Sequence, residues 1–259
     1  MRVMLAWMVA LAAVLAGCTD AEDGPDAATD ERDAGDLDGT QANALPADGE
    51  MLVFTDCLQF HTSYAGRAED FQSQVPEGYT LVQDDQGLVD LYVTPSACTL
   101  NGTVSEQMWI SVPVIPPGGL ADPEAFHRLA LEAYADDALA NEFGRWGIDM
   151  VVPCTCLAER GIPQALGFQV QSEAGDYDMQ TALTPSSGPF DVPPTWMYIP
   201  EDGEVNMRLY FGSGASQNLG IGGVFLVYQG QGGAPPAFPG YLAHVVDGLA
   251  FNLTIEEVA

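Results

Sequence analysis

Four cysteines, three histidines and a surplus of carboxylates are the groups of this chain that could act as nucleophiles, metal ligands or redox centres. A fifth cysteine, Cys18, closes an apolar run at the N-terminus. Cys57, Cys98, Cys154 and Cys156 form an even set, which outside the cytoplasm reads as disulfides. Three connectivities are open. Cys57–Cys98, tying the first strand to a later one, is favoured, leaving Cys154 and Cys156 to each other or free. A Cys-x-Cys pair in one strand would make a tight ring able to act in redox chemistry or hold a soft metal, but it can equally be a structural bridge. His61, His127 and His244 are scattered without ligand spacing, so no metal and no cofactor are predicted.

Other catalytic patterns fail on inspection. Gly212-Ser213-Gly214-Ala215-Ser216 is glycine-rich, yet Gln217 breaks the dinucleotide fingerprint and no helical pattern follows. G-x-S-x-G is absent, so there is no nucleophile elbow; hairpin glycines are the simpler reading. Acid–base pairs cannot be chosen among 37 carboxylates, although Glu106 and Asp178 fall at or within strands. The chain contains no lysine: all seven of its basic residues are Arg. Arg208 and Tyr210 share one face of an alternating strand, opposite Val205, Met207, Leu209 and Phe211. If that face lines a cavity, Arg208 could pair with an anionic ligand; if it faces outward, it meets one of the many acids. Arg208, Tyr210, Glu106 and Trp109 are the ligand-binding candidates.

The N-terminus gives an address. Arg2 precedes an uncharged apolar stretch, Val3 to Leu15, which ends in Leu15-Ala16-Gly17-Cys18. This resembles a bacterial lipoprotein signal, in which lipid is joined to the cysteine thiol and cleavage falls just before it. The run is too short to span a bilayer comfortably. Residues 1–17 are therefore read as signal peptide and Cys18 as a lipid anchor, with acyl chains providing membrane residence. The expected location is the cell envelope, at the outer membrane or on a periplasmic or extracellular face. Residues 18–50 hold eleven acids against one Arg (Arg32) and almost no core-forming residues. They are expected to be a disordered, self-repelling tether, and no acid spacing there fits a calcium loop.

Residues 51–259 are long enough for one domain with a real core. They carry 26 acids against five Arg, a surface that repels nucleic acid. Strand composition dominates. Strands are predicted over 51–60, 79–82, 88–94, 109–115, 150–157, 167–171, 177–183, 195–199, 205–211, 221–228 and 246–254, with a short helix over 65–74 and Gln229 to Gly240 as a long loop. A longer helix is predicted from Asp122 to Gly144. Asp122 would be its cap and Pro123 its first residue, with Phe126, Leu129, Ala130 and Ala133 at helical spacing and His127 on its rim. The fold class is α+β, mostly β: a large antiparallel curved sheet or closed barrel around a cavity, with one or two helices.

The order of features is informative: a strand carrying Cys57, a short helix into Val75-Pro76-Glu77-Gly78-Tyr79, a strand ending near Cys98, then Trp109 to Pro117 and a helix. Over residues 51–160 this resembles the acetoacetate decarboxylase-like superfamily, whose members curve a mostly antiparallel β structure around an interior cavity. The resemblance implies a lysine pair after a Trp-Gly-hydrophobic-Pro stretch. Here Trp146-Gly147-Ile148-Asp149 is similar, and the lysine positions fall on Met150 and Val151. A Schiff base needs an amine, so that chemistry is ruled out for this chain. The expected function is a membrane-anchored binding module for a small apolar or carboxylated ligand. The alternatives are a lysine-independent enzyme on the same scaffold and an envelope structural or interaction protein. The oligomeric state is open.

Overall fold

The structure is a computed structural model that describes residues 51–120, 122–159, 166–185, 188–212, 214–229, 237–239 and 242–258. Residues 1–50, which include the segments read as signal peptide and acidic tether and Cys18 between them, lie outside the described residues.

Among the described residues, fourteen strands and two short helices build the domain. The strands are β1 (Met51–Arg67), β2 (Thr80–Leu81), β3 (Leu88–Leu100), β4 (Thr103–Ile115), β5 (Phe126–Ala135), β6 (Val151–Glu159), β7 (Gly167–Ser172), β8 (Asp176–Pro185), β9 (Pro189–Val192), β10 (Thr195–Glu201), β11 (Glu204–Phe211), β12 (Gly214–Gln229), β13 (Ala237–Pro239) and β14 (Leu242–Glu257). The helices are α1 (Ala68–Phe71), which runs into a 3-10 turn at Gln72–Gln74, and α2 (Asp137–Arg145).

Five strands form a continuous central wall, β14-β1-β3-β4-β5, antiparallel throughout. The wall forks at both edges. The first half of β5 (Phe126–Leu129) pairs with β10, while Ala133–Ala135 pairs with β6, both in parallel. Along β14, residues 253–257 pair with β11 and residues 243–247 with β12. Two rings therefore close on one wall. One passes through β10 and β11; the other passes through β6, β7, β8 and β12. Closure leaves few free edges.

Alternation along the wall sends different chemistry to its two faces. Leu58, Phe60, Val93, Met108, Ile110 and Val245 point one way and pack with Phe168, Val170, Tyr177 and Met179 from β7 and β8. On the opposite face, Cys57, Cys98, Trp109, Leu249 and Phe251 join Met197 and Leu209 from β10 and β11 and Leu139, Phe143 and Trp146 at α2. A third cluster, Leu81, Val89, Val112, Val114, Leu129 and Tyr198, packs against Phe71, Val75 and Tyr79. There the Pro76-Glu77-Gly78-Tyr79 turn closes on the proline stop after β4. Gly78 has φ +85°, and a Cβ on it would lie 3.0 Å from the Pro117 ring, so glycine serves both the turn and the close approach.

The long helix predicted over 122–144 is not formed. Residues 126–135 are β5, and the helix is α2, capped by Asp136, whose carboxylate accepts the Leu139 N–H at 3.0 Å. The cause lies in burial. His127, Arg128, Leu129 and Ala130 are consecutively buried between neighbouring strands, and a strand covered on both faces loses its alternation. The apolar residues then match helical spacing by coincidence. Asp122 does accept backbone N–H bonds, from Glu124 with its side chain and from Ala125 with its carbonyl, but in a turn. The helix predicted over 65–74 shrinks to α1 and the 3-10 turn because β1 continues to Arg67. Nor do the glycines of the 212–216 segment make a hairpin: a Cβ on Gly214 would lie 2.5 Å from the Ala250 carbonyl, so that residue permits a close crossing of β14.

Candidate functional site

Within the β10–β11 ring, the wall turns polar. Gln59 from β1, Thr94 and Ser96 from β3, Gln107 from β4 and Arg128 from β5 face a cavity whose other sides are Trp109, Met197, Phe211, Leu249 and Phe251. His61 also lines it. Its atom-free space, counting the open mouth, is about 600 Å³, room for a small polar head group rather than a single water. The Trp109 indole N–H donates to Gln107 Oε1 at 2.9 Å, which leaves the Gln107 amide N–H groups for another acceptor. The Thr94 hydroxyl donates to the Trp109 carbonyl at 3.3 Å. Gln59 Oε1 is buried and unpartnered.

Arg128 dominates the electrostatics. It is 6% exposed, and among the described residues no carboxylate pairs with it. Its Nε is buried without a hydrogen-bond partner. The guanidinium lies 4.0 Å over the Tyr92 ring and 5.0 Å from the centre of the Phe126 ring, and such contacts support a cation without neutralising it. Burial pulls the Arg128 guanidinium down to about 10, partly offset by Tyr92. It therefore stays charged at neutral pH. Among the described residues, no acid lines the cavity. A buried cation without a counter-ion is costly, and here it arises in a chain of net charge −30.

Of the four ligand-binding candidates, Trp109 lines the cavity and the other three lie elsewhere. Arg208 binds Glu256 through Nε and a second guanidinium nitrogen, at 3.2 and 2.8 Å, and lies 4.1 Å over the Trp196 ring. Tyr210 packs on Trp196 with ring centres 4.5 Å apart. Of the two orientations open to that strand face, the outward one with an acid partner is formed, because Met207 and Leu209 turn to the core. Glu106 Oε1 accepts the Ala158 N–H at 2.9 Å, joining β6 to the wall. Asp178 is exposed and accepts from Gln180. His127 is buried rather than on a rim: Nδ1 is 2.9 Å from the Tyr198 hydroxyl and Nε2 is 2.8 Å from the Asp122 carbonyl. Met150 and Val151 do not line this cavity. The side chain of His244 lies outside the described residues.

Both cysteine pairs are bonded: Cys57 with Cys98, across a bulge between β1 and β3, and Cys154 with Cys156 within β6. Among the described residues, no group of three or more His, Cys, Asp or Glu converges as a metal site. Sequence reasoning missed Arg128, Gln59, Ser96 and Gln107. Arg128 was assigned to a helix, and the polar residues at 94, 96 and 107 gave no sign of inward orientation.

No protein-family profile and no curated protein sequence matches the chain. Solved structures do. The fold is that of acetoacetate decarboxylase-like proteins. An acetoacetate decarboxylase-like enzyme from Sphingomonas wittichii RW1 aligns with a TM-score of 0.53 at 11% identity, over 82% of this chain and 94% of that one. The enduracididine biosynthesis enzyme MppR, complexed with pyruvate, aligns with a TM-score of 0.56 at 12% identity, over 85% and 94%. The acetoacetate decarboxylase from Legionella pneumophila gives 0.50 at 14% identity, over 82% and 88%. At these identities the likeness shows the fold.

Proposed function

We propose that this protein is a lipoprotein of the cell envelope, anchored through Cys18, whose cavity binds a small carboxylated molecule. The observation that carries the ligand reading is Arg128: a buried, charged guanidinium at a cavity with no acid to pair it. A carboxylate there would accept two parallel N–H bonds from the guanidinium. It would take further donors from the Gln107 amide and the Ser96 hydroxyl, while Trp109, Met197, Phe211 and Phe251 would close over the head group and keep water out. That one of the similar structures is complexed with pyruvate, a small carboxylate, is consistent with this use of the fold. Schiff-base decarboxylation is outside its reach, since the chain offers no lysine amine.

The lipid anchor rests on the lipobox and the acidic tether. Cys18→Ser should move the protein from the membrane fraction to the soluble fraction; retention in the membrane would refute the anchor. For the ligand, the exported Cys18→Ser protein would be purified, denatured and extracted for mass spectrometry beside its Arg128→Met counterpart. A stoichiometric carboxylate present in the first and absent from the second supports the reading. The same molecule at equal yield from both refutes the role of Arg128.

A further inference from the structure

A second cavity adjoins the first. It is an open groove of about 1390 Å³, counting its solvent-filled part, lined by Val82, Leu88, Val114, Ile115, Leu120 and Ala125 among others. Phe126 and Arg128 belong to the walls of both cavities. Four large apolar side chains of this groove are left in solvent: Val82 at 44%, Ile115 at 42%, Leu120 at 47% and Phe126 at 46% exposed. Solvent-exposed apolar residues clustered in a concave surface mark a binding site. Asp84 and Asp90 also stand on this groove, both exposed.

Resting on the carboxylate reading of Arg128, we infer that the ligand is a monocarboxylate with an extended, uncharged apolar chain: its head meets the guanidinium and its chain lies along Val82, Ile115, Leu120 and Phe126. Three features set that class. The cation sits at the junction of the two cavities, so a head group bound there can send a substituent into the groove. The exposed Val82, Ile115, Leu120 and Phe126 give the groove an apolar strip, and covering it removes hydrocarbon from water. The two acids on the groove repel a second anionic group, which disfavours dicarboxylates.

The test is calorimetric titration of the Cys18→Ser chain with acetate, butanoate, hexanoate, octanoate and hexanedioate. Affinity should rise up to about fourfold for each methylene that the groove covers, and hexanedioate should bind more weakly than hexanoate. Leu120→Asp, at an exposed position that leaves the core intact, should flatten the length dependence while acetate binding persists. Acetate binding that depends on Arg128 but shows no gain with length would overturn the chain inference and leave the carboxylate site standing. A length dependence unchanged in Leu120→Asp would likewise overturn it, because the chain would then lie elsewhere. Failure of every acid to bind would overturn both readings.

Discussion

Replacing Arg128 by Met should make the empty protein more stable while abolishing anion binding. The guanidinium is displaced from its ordinary value of 12.5 to about 10 by burial, and 2.5 pKa units correspond to about 3 kcal/mol of differential interaction. The displacement is downward, so the folded state disfavours the charged form. The penalty is complete at every pH below the folded value and fades only as pH climbs from about 10 toward 12.5. At pH 7 it is fully present. Against it stand the ring contacts with Tyr92 and Phe126, together worth about 2 kcal/mol at this buried site. Met keeps an unbranched chain of similar reach and brings no charge. The expected net gain is about 1 kcal/mol, or roughly 2–4 °C in Tm for a domain of this size. The assay is thermal and denaturant unfolding of both proteins after ligand is stripped by refolding. A loss of about 3 kcal/mol or more on Arg128→Met, the usual penalty for breaking a buried ion pair, would refute the reasoning. It would mean that Arg128 already has its counter-ion inside the protein.

Four other perturbations probe the geometry. Replacing Cys57 and Cys98 by Ala opens a covalent loop spanning 41 residues and should cost about 4 kcal/mol on the chain-entropy account; the same change at Cys154 and Cys156 should cost much less, since that loop hardly constrains the unfolded chain. Asp136→Ala should cost about 1–2 kcal/mol, read by urea unfolding, because the carboxylate caps α2 and also accepts from Ser105 and the Glu106 N–H, each at 2.7 Å. At Glu106 burial raises the carboxyl, the Ala158 N–H lowers it and Asp136 raises it, with burial the largest influence. Stability from this group is present below the ordinary glutamate range and lost as pH rises through the raised value. Glu106→Gln keeps an acceptor for Ala158 and should remove that loss, seen as a flatter pH dependence of the urea midpoint above the ordinary glutamate range.

What could be seen in the sequence was what local pattern controls. Val205–Phe211 alternates, and the alternation was legible, whereas which of its faces turns to the core was left open by a period of two. The Pro76-Glu77-Gly78-Tyr79 turn, the proline stop after β4 and the Cys57–Cys98 pairing were all readable. The resemblance drawn from residues 51–160 named the right fold. What escaped detection depends on closure. β5 is covered on both faces because it belongs to two rings, so His127-Arg128-Leu129-Ala130 carry no period-two signature. The turn at Asn101-Gly102, with φ values of 52° and 83°, is a local hairpin signal between β3 and β4. Arg128 could not be singled out by type: an arginine in a chain so acidic looks like a surface partner for acids. Its unpaired burial follows from which wall face closes under β10 and β11, and that is set by contacts far apart in sequence.

The central claim is that Arg128 holds a carboxylate, and the most direct test is a matched pair of ligands on a matched pair of proteins. Hexanoate and hexanamide share shape and differ in charge at the head. Titrated at pH 7 into the Cys18→Ser protein and its Arg128→Met counterpart, hexanoate should bind the first and fail on the second, while hexanamide binds neither appreciably. Equal binding of acid and amide, or hexanoate binding that survives Arg128→Met, would contradict the account.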